Sequence, residues 1–353
     1  GLCRTPAIPH SRRCFFTSVP MLVTPRTGAR RQQSGETTLI MALNNVSKFF
    51  PMGRGKQLHA VDDVSLSIGK EQVVGLVGES GSGKSTLGRM IVGLHSRDQG
   101  DISYDGERLP TRFRAQDHLR YARRLQMIFQ DPYASLNPRM TIYDILSESL
   151  RLQGRTDAAA VTGAVTEWLK TVGLHPDHMT RYPHEFSGGQ RQRIGIARAL
   201  MIQPDFVVCD EPISALDVSV QAQIINLLSE LKTSMGLTLL FIAHDLSMVR
   251  YISDRMAVMY LGKIVEEGPA NEVFFNPQHP YTQLLIASNP EPDPAAERSR
   301  TVVPIRGEVS SPVNPGPGCR FADRCPKVTT QCALPPPEVI VSEGHRASCH
   351  LLN

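Results

Sequence analysis

The sequence predicts an α/β fold built on a parallel sheet, with a helical block inserted between its strands and an irregular, cysteine-bearing C-terminal extension. Three observations carry this. Residues 72–77 (QVVGLV), 206–209 (FVVC) and 237–243 (LTLLFIA) are strand-sized apolar runs, as expected for strands buried on both faces. Helix-like stretches separate them, which is the pattern of parallel strands joined by crossovers. After about Gly268, proline becomes frequent: Pro277, Pro280, Pro290, Pro292, Pro294, Pro304, Pro312, Pro315 and Pro317.

Residues 1–40 carry Arg4, Arg12, Arg13, Arg26, Arg30 and Arg31 against the one acid Glu36. They read as a disordered basic extension upstream of a natural start at Met41, with an organelle-targeting peptide as the alternative. They contain no continuous apolar segment, so they do not read as a secretory signal. Beyond Met41, Val61, Val64, Leu66 and Ile68 partly alternate with polar residues, which suits a half-buried strand. A helix is expected over 84–94, another over 190–201 and a third over 220–232. The resulting division is a core of 41–111 and 204–268, a helical block of 112–203, and an extension of 269–353. The extension is expected to be mostly irregular, with one short helix over 281–287. It would need something other than a hydrophobic core to hold it.

With 353 residues, of which 41% are apolar, the chain can bury a real core, and global disorder is excluded. A formal net charge of +4 is too weak to indicate nucleic-acid binding. No run approaches the roughly 18 apolar residues that span a bilayer. Work at a membrane therefore requires another chain to supply the spanning helices.

Gly78-Glu79-Ser80-Gly81-Ser82-Gly83-Lys84-Ser85 fits the phosphate-loop pattern G-x-x-x-x-G-K-[ST], between a strand and a helix. The glycines let backbone N–H groups turn inward around phosphate oxygens. The helix start, which includes Thr86, adds a favourable dipole for anions. Lys84 supplies a compact charge for the β- and γ-phosphates, and the Ser85 hydroxyl can ligate Mg²⁺. Asp210 and Glu211 end the run 206–209, at the sheet edge where ligands bind. Asp210 would hold the Mg²⁺ shell through water, and Glu211 would act as general base on the attacking water. His244 directly follows the run 237–243 and emerges at the same edge, placed to touch the γ-phosphate.

Phe186-Ser187-Gly188-Gly189-Gln190 precedes the acids. Ser187 is a sound N-cap, and the glycines expose N–H groups, giving a second phosphate-binding helix start. Together with Gln130 after Met127, Ile128 and Phe129, and with Ser214-Ala215-Leu216-Asp217 after the acids, this set resembles the ATP-binding cassette (ABC) family over residues 42–268. Phe186 stands where the family usually has leucine, which keeps an apolar residue. The resemblance implies a P-loop NTPase with a RecA-like parallel sheet and a head-to-tail pair of chains sandwiching two ATP molecules. Gln130 would sense Mg²⁺ and the γ-phosphate. Ser187, Gly188, Gly189 and Gln190 would face the ATP of the opposite subunit, with Ser187 and Gly189 on its γ-phosphate. Asp217 would cross the interface. An aromatic at Phe50 would stack on adenine, although adjacent Phe49 could serve.

Three further segments resemble the dipeptide/oligopeptide importer subgroup and extend the match to about residue 350. They are 130–138 (QDPYASLNP), 276–282 (NPQHPYT) and 312–319 (PVNPGPGC). The resemblance implies ATP hydrolysis driving peptide uptake at the cytoplasmic face of the plasma (inner) membrane. It also implies two permease subunits, an extracytoplasmic substrate-binding protein, and a second related ATPase or a second copy of this chain. Nickel and glutathione importers resemble the same group, and a non-transport ABC ATPase is the remaining alternative. One cassette and no heptad block argue against the latter.

Four of the seven cysteines crowd the extension as Cys319-x₅-Cys325-x₆-Cys332-x₁₆-Cys349. In a reducing compartment, clustered thiols point to metal or cluster binding before disulfides. The spacing lacks the paired C-x₂-C of common zinc ribbons. Members of the resembled subgroup can carry a 4Fe-4S iron–sulfur cluster here; tetrahedral zinc and unliganded thiols are the alternatives. Cys209 reads as a small buried apolar residue.

Overall fold

The computed structural model describes residues 38–214, 216–288 and 310–352. The basic extension up to residue 37, with Cys3 and Cys14, lies outside the described residues. So do Ala215 and the prolines at 290, 292, 294 and 304.

Two sheets form the frame. The smaller is antiparallel, in the order β2-β1-β4-β5: β1 is Leu39–Pro51, β2 Gln57–Gly69, β4 Gln99–Tyr104 and β5 Glu107–Arg108. The larger has eight strands. Its parallel part comprises β3 (Val73–Val77), β6 (Leu125–Ile128), β7 (Phe206–Asp210), β8 (Thr238–Ala243) and β9 (Arg255–Tyr260). Antiparallel strands β10 (Lys263–Pro269), β12 (His345–Ser348) and β11 (Glu338–Ser342) continue it, giving the order β11-β12-β10-β9-β3-β8-β7-β6.

Every residue of β3, β7 and β8 is buried, because both faces of the sheet are covered. Val207, Cys209, Leu239 and Phe241 belong to one apolar cluster, while Phe206, Val208, Leu240 and Ile242 belong to the other. This two-residue alternation puts one cluster on each face. One side packs against the small sheet, α1 (Lys84–Ile91) and Tyr121, the other against the helices that follow β6.

The helical layer contains α2 (Ala115–Tyr121), α3 (Pro132–Ser135), α4 (Ile142–Leu152), α5 (Ala158–Thr171) and α6 (Gly188–Leu200). The first division proposed for it needs correcting. Within 112–203, β6 is a strand of the main sheet, paired in parallel with β7 from Leu125↔Phe206 to Ile128↔Cys209. The helical insertion therefore starts after Gln130. Helices α7 (Val218–Met235) and α8 (Leu246–Ile252) follow β7 and β8. The expected helices at 84–94, 190–201 and 220–232 are present with shifted ends.

The extension also differs from expectation. It adds α9 (Ala270–Phe275) beside α10 (Pro280–Ala287), and its last two strands join the main sheet through Glu266↔Ala347 and Glu267↔Arg346. It has a core after all: Phe321 and Tyr281 are wholly buried and stack with Tyr260 at ring distances of 4.5–5.4 Å. Two buried carboxylates in β10 bind the extension further. Glu266 accepts the N–H groups of Gln278 (2.8 Å) and His279 (2.9 Å) and contacts the His345 ring at 2.8 Å. Glu267 accepts from Arg346 at 2.6 Å and from Arg255.

Candidate active site

Strand β3 ends at Val77, and α1 starts at Lys84. The turn between them is shaped by glycine. Gly83 has φ 106°, and a Cβ there would lie 2.0 Å from the Ala60 carbonyl oxygen, so no other residue fits. Lys84 is buried and donates to the carbonyls of Gly78 (2.8 Å) and Glu79 (2.9 Å). Burial lowers its pKa; the charges of Glu211, Asp210 and Glu79 oppose that.

The neighbouring strands β6, β7 and β8 deliver their C-terminal residues side by side. Asp210 Oδ1 accepts the Ser85 hydroxyl at 2.6 Å. Its Oδ2 is buried with no hydrogen-bond partner, and the Arg89 guanidinium is 4.0 Å away. Burial raises the Asp210 pKa, and the Ser85 hydrogen bond is the largest opposing influence. A buried carboxylate oxygen aimed beside a hydroxyl fits a hard cation with oxygen ligands, so Ser85 and Asp210 suit Mg²⁺. Glu211 has φ 44°, a left-handed backbone that costs a non-glycine residue energy. Its Oε2 accepts from Gln130 Nε2 at 2.8 Å, with His244 Nδ1 at 3.8 Å.

Gln130, Glu211 and His244 line one cleft of about 720 Å³ together with Phe50, Leu58, His59, Ala60, Ser80, Gly81, Gly83, Lys84, Ser85, Thr86 and Pro312. Phe50, rather than Phe49, faces it; Phe49 instead stacks on His59 at 4.3 Å. Glu79 departs from its loop neighbours. Its N–H donates to the Tyr281 hydroxyl (2.9 Å), and its carboxylate is held by Arg324 at 2.7 and 3.0 Å, so both point into the extension. His59 and Pro312 were not anticipated. Their only sequence signal was the motif beginning at Pro312, whose carbonyl accepts the His59 N–H at 3.0 Å.

Ser187, Gly188, Gly189 and Gln190 do not line this chain's cleft. Ser187 caps α6 in a reciprocal box: its N–H donates to Gln190 Oε1 at 3.0 Å, and its hydroxyl accepts the Gln190 N–H at 3.4 Å. Ser187 and Gly188 are exposed, as is Asp217, the N-cap of α7, whose carboxylate makes no capping bond.

Cys325, Cys332 and Cys349 are buried, Cys319 is half-buried, and all four are free thiols. The Cys319 N–H donates to the Cys332 carbonyl at 2.9 Å. Burial, reinforced by the other three thiols, pushes Cys319 up to about 11. Among the described residues, no three or more His, Cys, Asp or Glu side chains stand together as a ready metal site. The expected iron–sulfur or zinc site is therefore not assembled here. Cys209 is fully buried, as expected, and burial pushes its thiol up to about 12.

Residues 61–214 match the ABC transporter family, and residues 265–332 match the oligopeptide/dipeptide transporter C-terminal region. A putative oligopeptide transport ATP-binding protein of Bacillus subtilis strain 168 is 49% identical over 315 residues, covering 88% of this chain and 95% of that protein. The oligopeptide transport ATP-binding protein OppF of the same organism is 53% identical over 266 residues, covering 75% and 87%. Among solved structures, an ATP-binding cassette dimer in a post-hydrolysis state with ADP and Pi superposes with a TM-score of 0.61 at 27% identity, covering 65% of this chain and 99% of that one. A cassette of the Clostridium perfringens cbiONQ transporter complex gives a TM-score of 0.60 at 25% identity, covering 68% and 92%. The chain belongs to the ATP-hydrolysing ABC transporter subunits, in the branch that carries the oligopeptide/dipeptide transporter C-terminal region.

Proposed function

We propose that this chain is the motor of a peptide importer, binding ATP in the cleft and hydrolysing it with Glu211 as general base. The observation that carries the chemistry is the convergence of Gln130, Glu211 and His244 at adjacent strand ends, across the cleft from Lys84 and Ser85. Glu211 accepts the proton of the attacking water, while Gln130 and His244 orient its carboxylate and the γ-phosphate. Ser85, Gln130 and Asp210 would hold Mg²⁺, which when bound would supply positive charge against the developing phosphate charge. Phe50 stacks on the adenine. The loop from Gly78 to Thr86 cradles the phosphates.

The exposed helix start at Ser187 supports a composite site. In it Ser187, Gly188, Gly189 and Gln190 complete the ATP site of a facing ATPase, and Asp217 crosses between the subunits. The dimeric structural relative supports the same arrangement. ATP then favours the closed pair through its greater affinity for that state, and hydrolysis releases it.

Among the described residues, no helix is long and apolar enough to cross a membrane; in this reading two permease subunits carry the solute path. An apolar groove between core and helical insertion, lined by Leu94, Phe113, Leu125, Phe129 and Leu152, is the surface we assign to a permease helix. Leu94 and Leu152 are 50% and 75% exposed there, and Phe129 adjoins Gln130. In this reading the chain works on the cytoplasmic face of the plasma membrane, served by an extracytoplasmic substrate-binding protein. The names of the relatives favour peptides over nickel or glutathione as cargo.

Although the four thiols are not gathered as a metal site among the described residues, a 4Fe-4S cluster ahead of zinc is our reading of the cysteine tail. Its support is four free thiols near enough to influence one another electrostatically. Iron, sulfide and zinc analysis of anaerobically purified protein tests this, and zinc without iron overturns it. The function as a whole is tested by co-purification with the permeases and an ATPase assay with added peptides. Peptide-stimulated turnover is expected; turnover indifferent to peptides but raised by nickel or glutathione overturns the cargo assignment.

A further inference from the structure

The short segment between Cys319 and Cys325 twice contacts residues that border the nucleotide cleft: Asp62, which bonds the lining residue His59, and Glu79, next to the lining residue Ser80. Arg320 pairs with Asp62 and donates to the Leu261 carbonyl at 3.1 Å, beside His59 and Ala60 on the cleft wall. Arg324, only 5% exposed, grips the phosphate loop at Glu79 with two nitrogens, at 2.7 and 3.0 Å. The same Arg324 donates to the Tyr260 hydroxyl at 3.4 Å. Tyr260 packs on Tyr281, whose hydroxyl accepts the Glu79 N–H at 2.9 Å. Backbone and side chain of one phosphate-loop residue are thus both fixed by residues outside the loop.

Electrostatics gives this clamp a consequence. A carboxylate in the loop that receives a triphosphate repels the ligand, more strongly in a partly buried cleft than in water. A bidentate guanidinium cancels that charge and fixes the loop's entry turn. We propose that Arg324 is a positioning residue of the ATP site: by neutralising and anchoring Glu79, the cysteine-bearing extension sets the affinity for ATP. The proposal rests on the reading of the cleft as the ATP site.

The test compares ATP affinity and steady-state hydrolysis in the full-length chain and its variants. Arg324→Gln leaves Glu79 uncompensated. We expect KM for ATP to rise roughly tenfold, the scale of one charged hydrogen bond, with kcat almost unchanged. Arg324→Lys retains the charge but loses the fork and should fall between. The decisive variant is the double replacement Arg324→Gln with Glu79→Gln, which restores neutrality. It should recover most of the lost affinity, whereas a merely structural role predicts a double variant at least as impaired as the single. A wild-type KM in Arg324→Gln, or a double variant as weak as the single, overturns the proposal. Should Arg324→Gln fail to fold by circular dichroism, Arg324→Lys, which keeps the charge but loses the second hydrogen bond to Glu79, carries the test. A raised KM there sustains the proposal, and an unchanged one overturns it. If the unsubstituted chain itself binds no ATP, the reading of the cleft fails first, which is distinguishable because the loss then precedes any substitution.

Discussion

Gln130 and Glu211 meet at 2.8 Å although 81 residues separate them. They meet because β6 and β7 are parallel neighbours: two residues beyond the pair Ile128↔Cys209, the two chains deliver Gln130 and Glu211 to the same edge. Glu211 lines the cleft, and His244 Nδ1 stands 3.8 Å from the same carboxylate oxygen that Gln130 bonds.

Glu211→Gln should retain ATP binding and slow hydrolysis by roughly 10²–10⁴-fold, the usual worth of a general base. The amide keeps the shape and the contact to Gln130 but cannot accept a proton. Nucleotide binding and single-turnover phosphate release, measured together, decide it. Normal turnover would remove Glu211 from the mechanism.

Ser187→Arg should block ATP-driven pairing while leaving nucleotide binding by the single chain intact, because Ser187 is exposed and outside its own cleft. Crosslinking with and without ATP gives the readout. Undiminished pairing would count against a composite site.

Phe50→Ala and Phe49→Ala should separate cleanly. Stacking of a base on an aromatic ring is worth about 1–3 kcal/mol by alanine substitution, so Phe50→Ala should weaken ATP binding by about tenfold or more. Phe49→Ala removes the ring that stacks on His59 and should lower thermal stability more than affinity. The reverse pattern, found by titration and thermal melting, would exchange the two roles.

Acid should loosen the protein through His279. This ring is 1% exposed, and burial pushes its pKa down to about 4 from 6.5. Between those values the unfolded chain binds a proton that the folded chain excludes, so stability falls as pH falls. The contribution is complete above pH 6.5 and is lost progressively toward pH 4. His279 Nδ1 accepts the Tyr281 N–H at 3.0 Å, and Asn can cap the helix equally well. His279→Asn should therefore flatten the dependence of melting temperature on pH across this window. Parallel curves for the two proteins would contradict this.

The central sheet and the phosphate loop were legible because their signals are local. β3, β7 and β8 are apolar through their length, and Gly78 to Ser85 is a contiguous pattern. β6 was hidden inside a polar block: Leu125–Ile128 is four residues long, and only pairing with β7 makes it a strand. The tail strands were missed for the same reason. Glu338–Ser342 is largely exposed, so burial gives it no periodicity, and its partner is distant in sequence from the main core. The hold of Arg324 on Glu79 spans 245 residues, and nothing in either motif announces it. The cysteine spacing showed that four thiols share one region but could not fix their mutual geometry.

Glu266 and Glu267 make the appendage and the motor inseparable. A polypeptide severed after Gly268 would take from Glu266 the N–H groups of Gln278 and His279 and the His345 ring, while Glu267 would lose Arg346 but keep Arg255; a buried charge deprived of its partner costs about 3–5 kcal/mol. Set against the total of roughly 5–15 kcal/mol that holds ordinary domains together, that loss is ruinous. Proteolytic clipping of the tail should therefore weaken the ATPase core rather than merely trim it.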